Sequence, residues 1–402
     1  MKQGLTGLLL LTLTACGGSG DNPEPLPPLQ GERILEIDIT PAESRDYATA
    51  FAEAGRLGMQ ATSLSLDWTL IETGLDTSVD PPQPVYQNDP DLDFLAIADF
   101  CYPKTATRIS LTLRPVVTLV RNTPPDLADR PLDDPAVIAR FEQLVDHVFA
   151  KLPNLELTSL VIGSEIDLYL KTDALRAQWS GFYAAVSAHA RDRYRALYPD
   201  RPALKIATEV TWQGLVDPST RGYYQALNRN SDVIGISYYP MDEQGQVRDP
   251  SVFGSDVDAL LALYPDKPLY FYQLGYPSGY SPARLYPELL SGAQPSIGSS
   301  ADRQAAFVAE VFRVWDREVE RIGLIDFTWL HDLSPQAVIE TTRNPAFGGS
   351  ADPAPEFLEF LRTLGLGGWS SSDGVLEKPA WSALREAAAV RGWPQRSLAF
   401  CQ

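Results

Sequence analysis

The fold is decided by the segment D-V-I-G-I-S-Y-Y-P, residues 232–240, a nearly unbroken apolar run that ends in two tyrosines and a proline. Such a run is typical of a strand covered on both faces, because a half-exposed strand would alternate apolar and polar residues. Strands that are covered on both faces occur mainly in parallel sheets. The segment therefore predicts a parallel sheet with helices packed on it.

Seven further runs of this kind alternate with amphipathic segments along the chain. The eight strands are predicted at Ile34–Thr40, Thr62–Leu70, Arg108–Thr118, Thr158–Asp167, Lys205–Trp212, Asp232–Pro240, Pro268–Pro277 and Gly323–Asp332. Helices are predicted at Ser44–Leu57, Asp91–Phe100, Pro135–Leu152, Asp173–Leu197, Ser219–Asn228, Ser255–Tyr264, Asp302–Arg321, Pro355–Leu364 and Lys378–Val390. This order predicts a (β/α)8 barrel in one domain, residues 32–402. A doubly wound open sheet is the competing interpretation, but the glycine-rich first turn of that fold is missing.

Composition and charge exclude several classes of function. The 402 residues include 52 acidic and 33 basic side chains, which give a net charge of −19. Because this charge repels phosphate, we expect no nucleic-acid partner. The three histidines and three cysteines are scattered without metal-ligand spacing, and the glycine motifs that bind phosphates or dinucleotides are missing. We therefore expect neither a metal nor a cofactor.

The first thirty residues predict export and lipidation. Residues 1–15 are interpreted as a signal peptide, because Lys2 precedes the apolar run Leu8–Leu13. The following Leu-Thr-Ala-Cys resembles a bacterial lipobox, in which Cys16 would carry the lipid. Residues 16–31 would then be a flexible tether, and the protein would be anchored to a membrane in the bacterial cell envelope, at its periplasmic or outer-membrane face. A cytoplasmic chain with a chance apolar start is the alternative.

Export also bears on the two remaining cysteines, Cys101 and Cys401. An even number of cysteines in an oxidising compartment predicts a disulfide bond between them. Two buried thiols are the alternative.

Function is expected at the carboxyl ends of the strands, because long loops rich in Pro, Asp and Gly follow most of them. Carboxylates, amides and aromatic rings collect there, and together they suit a sugar, which stacks on rings and needs hydrogen bonds. Taken singly, a tryptophan more often belongs to the hydrophobic core than to a binding site, and an Arg or Asp more often belongs to a structural ion pair. The predicted substrate-binding residues are Asp67, Trp68, Arg114, Ser164, Trp212, Tyr238, Tyr239, Tyr276, Trp329, His331 and Asp332.

Four strand-end segments resemble the clan A glycoside hydrolases, most closely family 53, the arabinogalactan endo-β-1,4-galactanases. The segments are V-I-G-S-E-I-D at 161–167, D-V-I-G-I-S-Y-Y-P at 232–240, Y-Q-L-G-Y-P-S at 272–278 and F-T-W at 327–329. The resemblance implies that Glu165 is the general acid/base and that Tyr238 or Tyr239 contacts the nucleophile. It also implies that Trp329 forms the floor of a sugar subsite.

Two positions depart from the family pattern. Ser164 stands where the family has asparagine, and Gln273 stands where the resemblance places the nucleophilic glutamate. A neutral amide does not attack an anomeric carbon effectively, and without a neighbouring anion the pKa of Glu165 is expected to fall.

Three functions remain open from the sequence. The first is a degenerate hydrolase that binds a β-linked oligo- or polysaccharide. The second is an active hydrolase in which Asp332, Asp67 or Glu209 supplies the second carboxylate. The third is a non-catalytic surface interaction protein.

Overall fold

A computed structural model describes residues 30–39, 46–89, 93–279, 297–350, 353–369 and 376–402. The predicted signal peptide and Cys16 lie outside these residues, as does the tether up to residue 29. Strands and helices alternate through the rest of the chain, and the predicted (β/α)8 barrel is confirmed.

The barrel strands are counted here from one to eight in chain order. Their bounds are Ile34–Ile37, Ala61–Asp67, Arg108–Val117, Leu157–Ser164, Lys205–Ala207 with Glu209–Thr211, Ile234–Tyr238, Leu269–Leu274 and Ile322–Phe327. Neighbouring strands pair in parallel, and strand one also pairs with strand eight, with Ile34 opposite Leu324. Strand five is interrupted at Thr208, so that its first piece pairs with strand four and its second piece with strand six. This split strand completes the ring.

An outer helix follows each barrel strand, and polar residues fix where several of these helices begin. Asp134, Thr172 and Ser300 each accept a hydrogen bond from a backbone N–H in the first turn of the helix that follows. The outer helices are Tyr47–Arg56, Phe94–Cys101, Pro135–Lys151, Asp173–Leu197, Arg221–Leu227, Val252–Leu263, Ala301–Arg317 and Pro379–Val390.

The helix Pro355–Thr363, predicted as Pro355–Leu364, also lies after strand eight. Several further elements were not predicted from the sequence. Strands Glu72–Asp76 and Gln83–Tyr86 form an antiparallel hairpin between barrel strand two and the helix Phe94–Cys101. The additional elements are helices Trp68–Ile71, Trp212–Val216 and Pro335–Arg343 and the short strands Val120–Arg121, Gly367–Gly368 and Leu376–Glu377. Apart from Pro335–Arg343, these elements are too short for a periodic apolar pattern to mark them.

Alternate residues of each strand face the barrel interior, because successive side chains of a strand point to opposite faces. One interior layer is apolar and lies at strand residues such as Ile34, Val161 and Leu324. Two residues further along strand one stands Glu36, which is fully buried and accepts a 2.6 Å hydrogen bond from Ser110. Burial raises the pKa of Glu36 to about 8. The interior therefore changes from apolar to polar toward the carboxyl ends of the strands.

The C-terminal tail is fastened to the helix before strand three. Cys101 and Cys401 form a disulfide bond, with their Cα atoms 4.3 Å apart. Phe400 packs against the rings of Tyr47 and Tyr102, with ring centroids 4.8 and 5.4 Å away. The tail thus contributes to the wall of the central cavity that is described below.

No helix among the described segments is long and apolar enough to cross a membrane.

Candidate functional site

A cavity of about 640 Å³, called the barrel cavity below, lies at the carboxyl ends of the strands. Strands one to five, seven and eight, or the turns just after them, contribute polar or aromatic groups to it, with Ser63 and Ser65 coming from strand two. The residues from the other strands and turns are Glu36, Asp38, Ser110, Thr112, Arg114, Thr118, Ser164, Glu165, Glu209, Tyr272, Gln273, Thr328 and Trp329. Its volume falls within the usual range of small-molecule sites.

Glu165 is positioned by a tight turn at the end of strand four. Gly163 has φ +77°, and a Cβ atom there would lie 2.7 Å from the ring of Trp179, so only glycine fits. Glu165 itself adopts a left-handed conformation, with φ +48° and ψ 43°. Asp167 secures the turn by accepting hydrogen bonds from the backbone and the hydroxyl of Thr211, at 2.9 and 2.6 Å. Left-handed non-glycine residues are costly and cluster at functional sites, which agrees with a special role for Glu165.

The Glu165 carboxyl is held between two hydroxyl groups. Ser237 donates a 2.5 Å hydrogen bond to Oε1, and Thr118 donates a 3.4 Å hydrogen bond to Oε2. Burial raises the pKa of Glu165, and the negative charge of Asp167 raises it further, although the Ser237 hydrogen bond opposes both. Burial thus keeps the pKa of Glu165 above that of a free glutamate even though residue 273 carries no charge, and the expected fall relative to a site with an anionic neighbour stays a prediction. A raised pKa favours the protonated form that a general acid needs.

Gln273 lies in a chain of hydrogen bonds that crosses the barrel cavity. The Tyr239 hydroxyl donates to Gln273 Oε1 at 2.9 Å, and Gln273 Nε2 donates to Ser164 Oγ at 3.3 Å. The Ser164 hydroxyl in turn donates to Glu209 Oε2 at 2.7 Å. Both ends of the amide are thus fixed in orientation. Of the two tyrosines considered from the sequence, Tyr239 is the one that contacts residue 273.

Glu209 and Asp38 bring two further carboxyl groups to the barrel cavity. Burial, followed by the charge of Glu165, raises the pKa of Glu209 to about 8, so this residue is mainly neutral at pH 7. Burial raises the pKa of Asp38 to about 6, against hydrogen bonds from Ser63 and Trp329 and the charge of Arg114. Asp38 is therefore mainly anionic at pH 7, whereas Glu209 is mainly neutral.

Asp38 was missed by the sequence reasoning. The signal that could have found it is the two-residue period of strand one, which places Ile34 and Glu36 on the inner face and, continued one residue past the strand, Asp38 as well. Glu209 was considered only as a second carboxylate, and it is placed by the second piece of the split strand five.

Arg114 and Trp329 complete the polar and aromatic wall of the barrel cavity. Arg114 Nε lies 2.7 Å from Oδ1 of Asp67, so the predicted residue Asp67 supports Arg114 from the side and does not itself line the cavity. Both side chains of this ion pair are about one-third exposed, at 28% and 35%. The guanidinium therefore remains accessible to a ligand.

Three predicted site residues lie away from the barrel cavity near strands two and eight. Trp68 is fully buried and donates a 2.9 Å hydrogen bond to Glu72. His331 pairs with Glu53 at 2.8 Å, and Asp332 pairs with Lys378 at 2.6 Å. Strand eight ends at Phe327, five residues before the predicted end. His331 and Asp332 therefore belong to the segment that follows the strand. We correct their predicted placement accordingly.

Three more predicted residues form a structural cluster around Arg248 and Asp256. Tyr238 donates a 2.8 Å hydrogen bond to Asp256, and the indole of Trp212 donates to the Asp256 carbonyl at 3.2 Å. Tyr276 donates to the Arg248 carbonyl at 2.8 Å. Tyr238 and Tyr276 are almost completely buried, and none of the three predicted residues lines the barrel cavity. Their hydrogen bonds stabilise the fold beside the site.

A second cavity of about 440 Å³, called the side cavity below, adjoins the first. Glu165 lines both cavities. The other residues of the side cavity are Thr211, Gln213, Ser237, Tyr239, Met241, Gln244, Gly245, Ala354, Glu356, Phe357 and Phe360. Among the residues that the structure describes, no group of three or more Asp, Glu, His or Cys side chains is arranged to hold a metal ion.

The solved structures whose barrels superpose on this chain are clan A glycoside hydrolases. Solved structures support the fold. A GH5_18 protein from Streptomyces cattleya, crystallised with Manβ1-4GlcNAc, superposes with a TM-score of 0.61 and 14% identity, covering 91% of this chain and 82% of that chain.

Two further structures are similar to the chain. The GH53 catalytic domain from Ignisphaera aggregans gives a TM-score of 0.54 and 15% identity, over 90% of this chain and 99% of that chain. Xylanase10C from Cellvibrio japonicus, in complex with xylopentaose, gives a TM-score of 0.53 and 13% identity, covering 92% of this chain and 68% of that chain. The clan A fold expected from the four segments is thus confirmed. No protein-family model and no curated protein matches the chain.

Proposed function

We propose that this protein is an exported, glycoside-hydrolase-like lipoprotein that binds a β-linked oligo- or polysaccharide, with degenerate or altered hydrolytic chemistry. One observation carries the proposal. Glu165 and Gln273 line the same cavity, and the amide of Gln273 is fixed between Tyr239 and Ser164. The acid/base position is therefore filled by a carboxyl group, whereas the facing position is filled by a neutral amide.

The chemistry of retaining hydrolysis explains why this difference matters. The nucleophile must attack the anomeric carbon and stabilise the positive charge that develops there, and an amide carries no net charge. Ligand binding does not need that anion. Trp329 offers a ring on which a sugar can stack, and Arg114 and Asp38 offer a cation and an anion for its hydroxyl groups.

An active hydrolase is the second candidate, and a specific observation favours it. Of the three carboxylates considered from the sequence, Asp332 and Asp67 are committed to Lys378 and Arg114, but Glu209 lines the barrel cavity. Asp38 also lines it and is mainly anionic at pH 7. Asp38 could serve as the base of an inverting reaction, and Glu209 could do so only in its minor ionised form. An inverting reaction requires two carboxyl groups about 6.5–9.5 Å apart with water between them.

The proposed location rests on separate features of the chain. The run Leu8–Leu13 followed by Cys16 supports export and lipidation, and residues 16–31 would connect the lipid to the barrel. The disulfide between Cys101 and Cys401 agrees with an oxidising compartment such as the bacterial cell envelope.

The experiment is a glycan array combined with release of reducing ends, using galactans, glucans, mannans and xylans with β linkages. We expect the wild type to bind at least one of these glycans and to release no reducing ends from it. Release that Glu165→Gln abolishes would establish the active hydrolase instead. Absence of binding to every glycan would contradict both candidates and favour the non-catalytic interaction protein.

A further inference from the structure

The Glu165 carboxyl stands on the boundary between the two cavities. Ser237, which donates to Oε1, lines the side cavity, and Thr118, which donates to Oε2, lines the barrel cavity. A general acid protonates the oxygen that joins the sugar to its leaving group. If Glu165 has that role, the sugar and the group attached to it occupy the two cavities on either side of this carboxyl.

The groups that suit a sugar lie in the barrel cavity. Trp329, Arg114, Asp38 and the amide of Gln273 all line that cavity. The side cavity is therefore left for the group that is linked to the sugar, the aglycone.

The hydroxyl groups that line the side cavity already donate hydrogen bonds to other residues of the protein. The hydroxyl of Ser237 donates to Glu165, that of Thr211 donates to Asp167 at 2.6 Å, and that of Tyr239 donates to Gln273 at 2.9 Å. A second sugar ring would need several free partners for its hydroxyl groups, since unpaired polar groups are costly to bury.

The remaining walls of the side cavity are mainly apolar. Met241, Phe357 and Phe360 line it, and the ring of Phe360 meets that of Tyr239 at 89° with centroids 5.2 Å apart. Phe357 and Phe360 lie nearly parallel, with centroids 6.4 Å apart. The other polar residues of the lining are Gln213 and Gln244, which are exposed, and Glu356, which is half-buried.

We propose that the side cavity binds an apolar aglycone, so that the preferred ligand is a β-linked saccharide that carries an alkyl or aryl group. This inference rests on the proposed function, because it takes Glu165 as the residue that marks the glycosidic bond. It narrows the ligand class from a β-linked glycan to an amphipathic glycoside.

Calorimetric titration with methyl, butyl and hexyl β-glycosides of glucose, galactose, mannose and xylose tests the inference. These probes keep the sugar and the leaving-group chemistry nearly constant while the apolar length changes. Each buried methylene should tighten binding by about fourfold, which gives roughly 10²–10³-fold between the methyl and hexyl compounds. The heat capacity change of binding should also become more negative with chain length.

Variants locate the effect in the side cavity. Phe357→Ala and Phe360→Ala should each weaken binding of the hexyl glycoside by about tenfold or more, and should weaken binding of the methyl glycoside much less. The matched control is Phe100→Ala, since Phe100 is 63% exposed and lines neither cavity. It should change neither affinity.

Equal affinity of the wild type for methyl and hexyl glycosides would overturn the inference and leave the proposed function standing. A larger gain from a second sugar, measured with the corresponding disaccharides and lost in Phe357→Ala, would also overturn it. If no glycoside of any length binds, the proposed function fails and the inference fails with it. The wild-type series decides the matter even if a phenylalanine variant does not fold.

Discussion

The variant Gln273→Glu restores an anion opposite Glu165 with almost no change in side-chain size. The new carboxylate would accept the 2.9 Å hydrogen bond that Tyr239 now donates to the amide oxygen. Its second oxygen would face the hydroxyl of Ser164, which lies 3.3 Å from the present amide nitrogen. The Ser164 hydroxyl now donates to Glu209, so in the variant two carboxyl groups would compete for its single proton.

The expected increase in the hydrolysis rate follows from the negative charge that Gln273→Glu adds. A carboxylate about 3.3 Å from a full developing positive charge contributes roughly 5 kcal/mol at an effective dielectric constant of about 20. This corresponds to about 10³–10⁴-fold in rate. Ser164 limits the gain, because it lacks the two-ended amide that could hold the sugar 2-hydroxyl group.

The added charge also changes the titration of its neighbours. It raises the pKa values of Glu165 and Glu209 further, which keeps Glu165 in the acid form that protonates the leaving group. Activity should fall at low pH, where the introduced carboxylate becomes protonated, and at high pH, where Glu165 loses its proton. Placing another carboxyl group among buried ones should lower the free energy of unfolding by about 1–3 kcal/mol.

The assay is steady-state hydrolysis of 4-nitrophenyl β-glycosides of galactose, glucose, mannose and xylose. The controls are Gln273→Ala, which adds no anion, and Gln273→Glu combined with Glu165→Gln, which removes the acid/base. We expect activity in Gln273→Glu alone. The reasoning is refuted if the wild type already cleaves a glycoside and Gln273→Glu leaves the rate unchanged or lowers it. It is also refuted if a folded, sugar-binding Gln273→Glu variant gains less than tenfold.

Four further outcomes are expected. Because burial raises the pKa of Glu36 to about 8, the free energy of unfolding should fall as the pH rises from about 4.5 to 8. In denaturant titrations, Glu36→Gln should reduce this pH dependence by up to about 1.4 kcal/mol per pH unit. The control Glu320→Gln, at an exposed position, should leave it unchanged. Cys401→Ser, which opens a loop of 300 residues, should lower the unfolding free energy by about 2–5 kcal/mol under non-reducing conditions. Cys16→Ala should abolish incorporation of radiolabelled fatty acid and retention in the membrane fraction. Trp329→Ala should weaken glycan binding by about tenfold or more in titrations, whereas Trp329→Phe should retain most of the affinity.

The barrel was predictable because its strands are buried on both faces and its helices are amphipathic. Strand six, observed at Ile234–Tyr238, lies within the predicted Asp232–Pro240, and the helix Asp173–Leu197 has the predicted bounds. The interruption of strand five at Thr208 was not predictable, because it depends on pairing with two different neighbours and not on a local pattern.

The four sequence motifs predicted the position of the two central residues, Glu165 and Gln273. They did not predict which other residues surround these two. Glu165 and Gln273 line one cavity, as the resemblance implied. His331 and Asp332 were misplaced because strand eight ends earlier than its apolar run suggests, and tertiary hydrogen bonds decide where such a run stops. Asp38 was overlooked because an acidic residue in a mainly apolar strand suggests exposure, although the strand period places it inside the barrel.

The central claim is that a sugar binds between Glu165 and Gln273 and is not cut there. The most direct measurement is a crystal structure of the wild type after prolonged incubation with the best-bound oligosaccharide from the glycan array. The account predicts an intact glycosidic bond beside Glu165, a sugar ring stacked on Trp329 and a hydrogen bond from the Gln273 amide to that sugar. A cleaved product in the barrel cavity, or an oligosaccharide bound elsewhere on the protein, would contradict it.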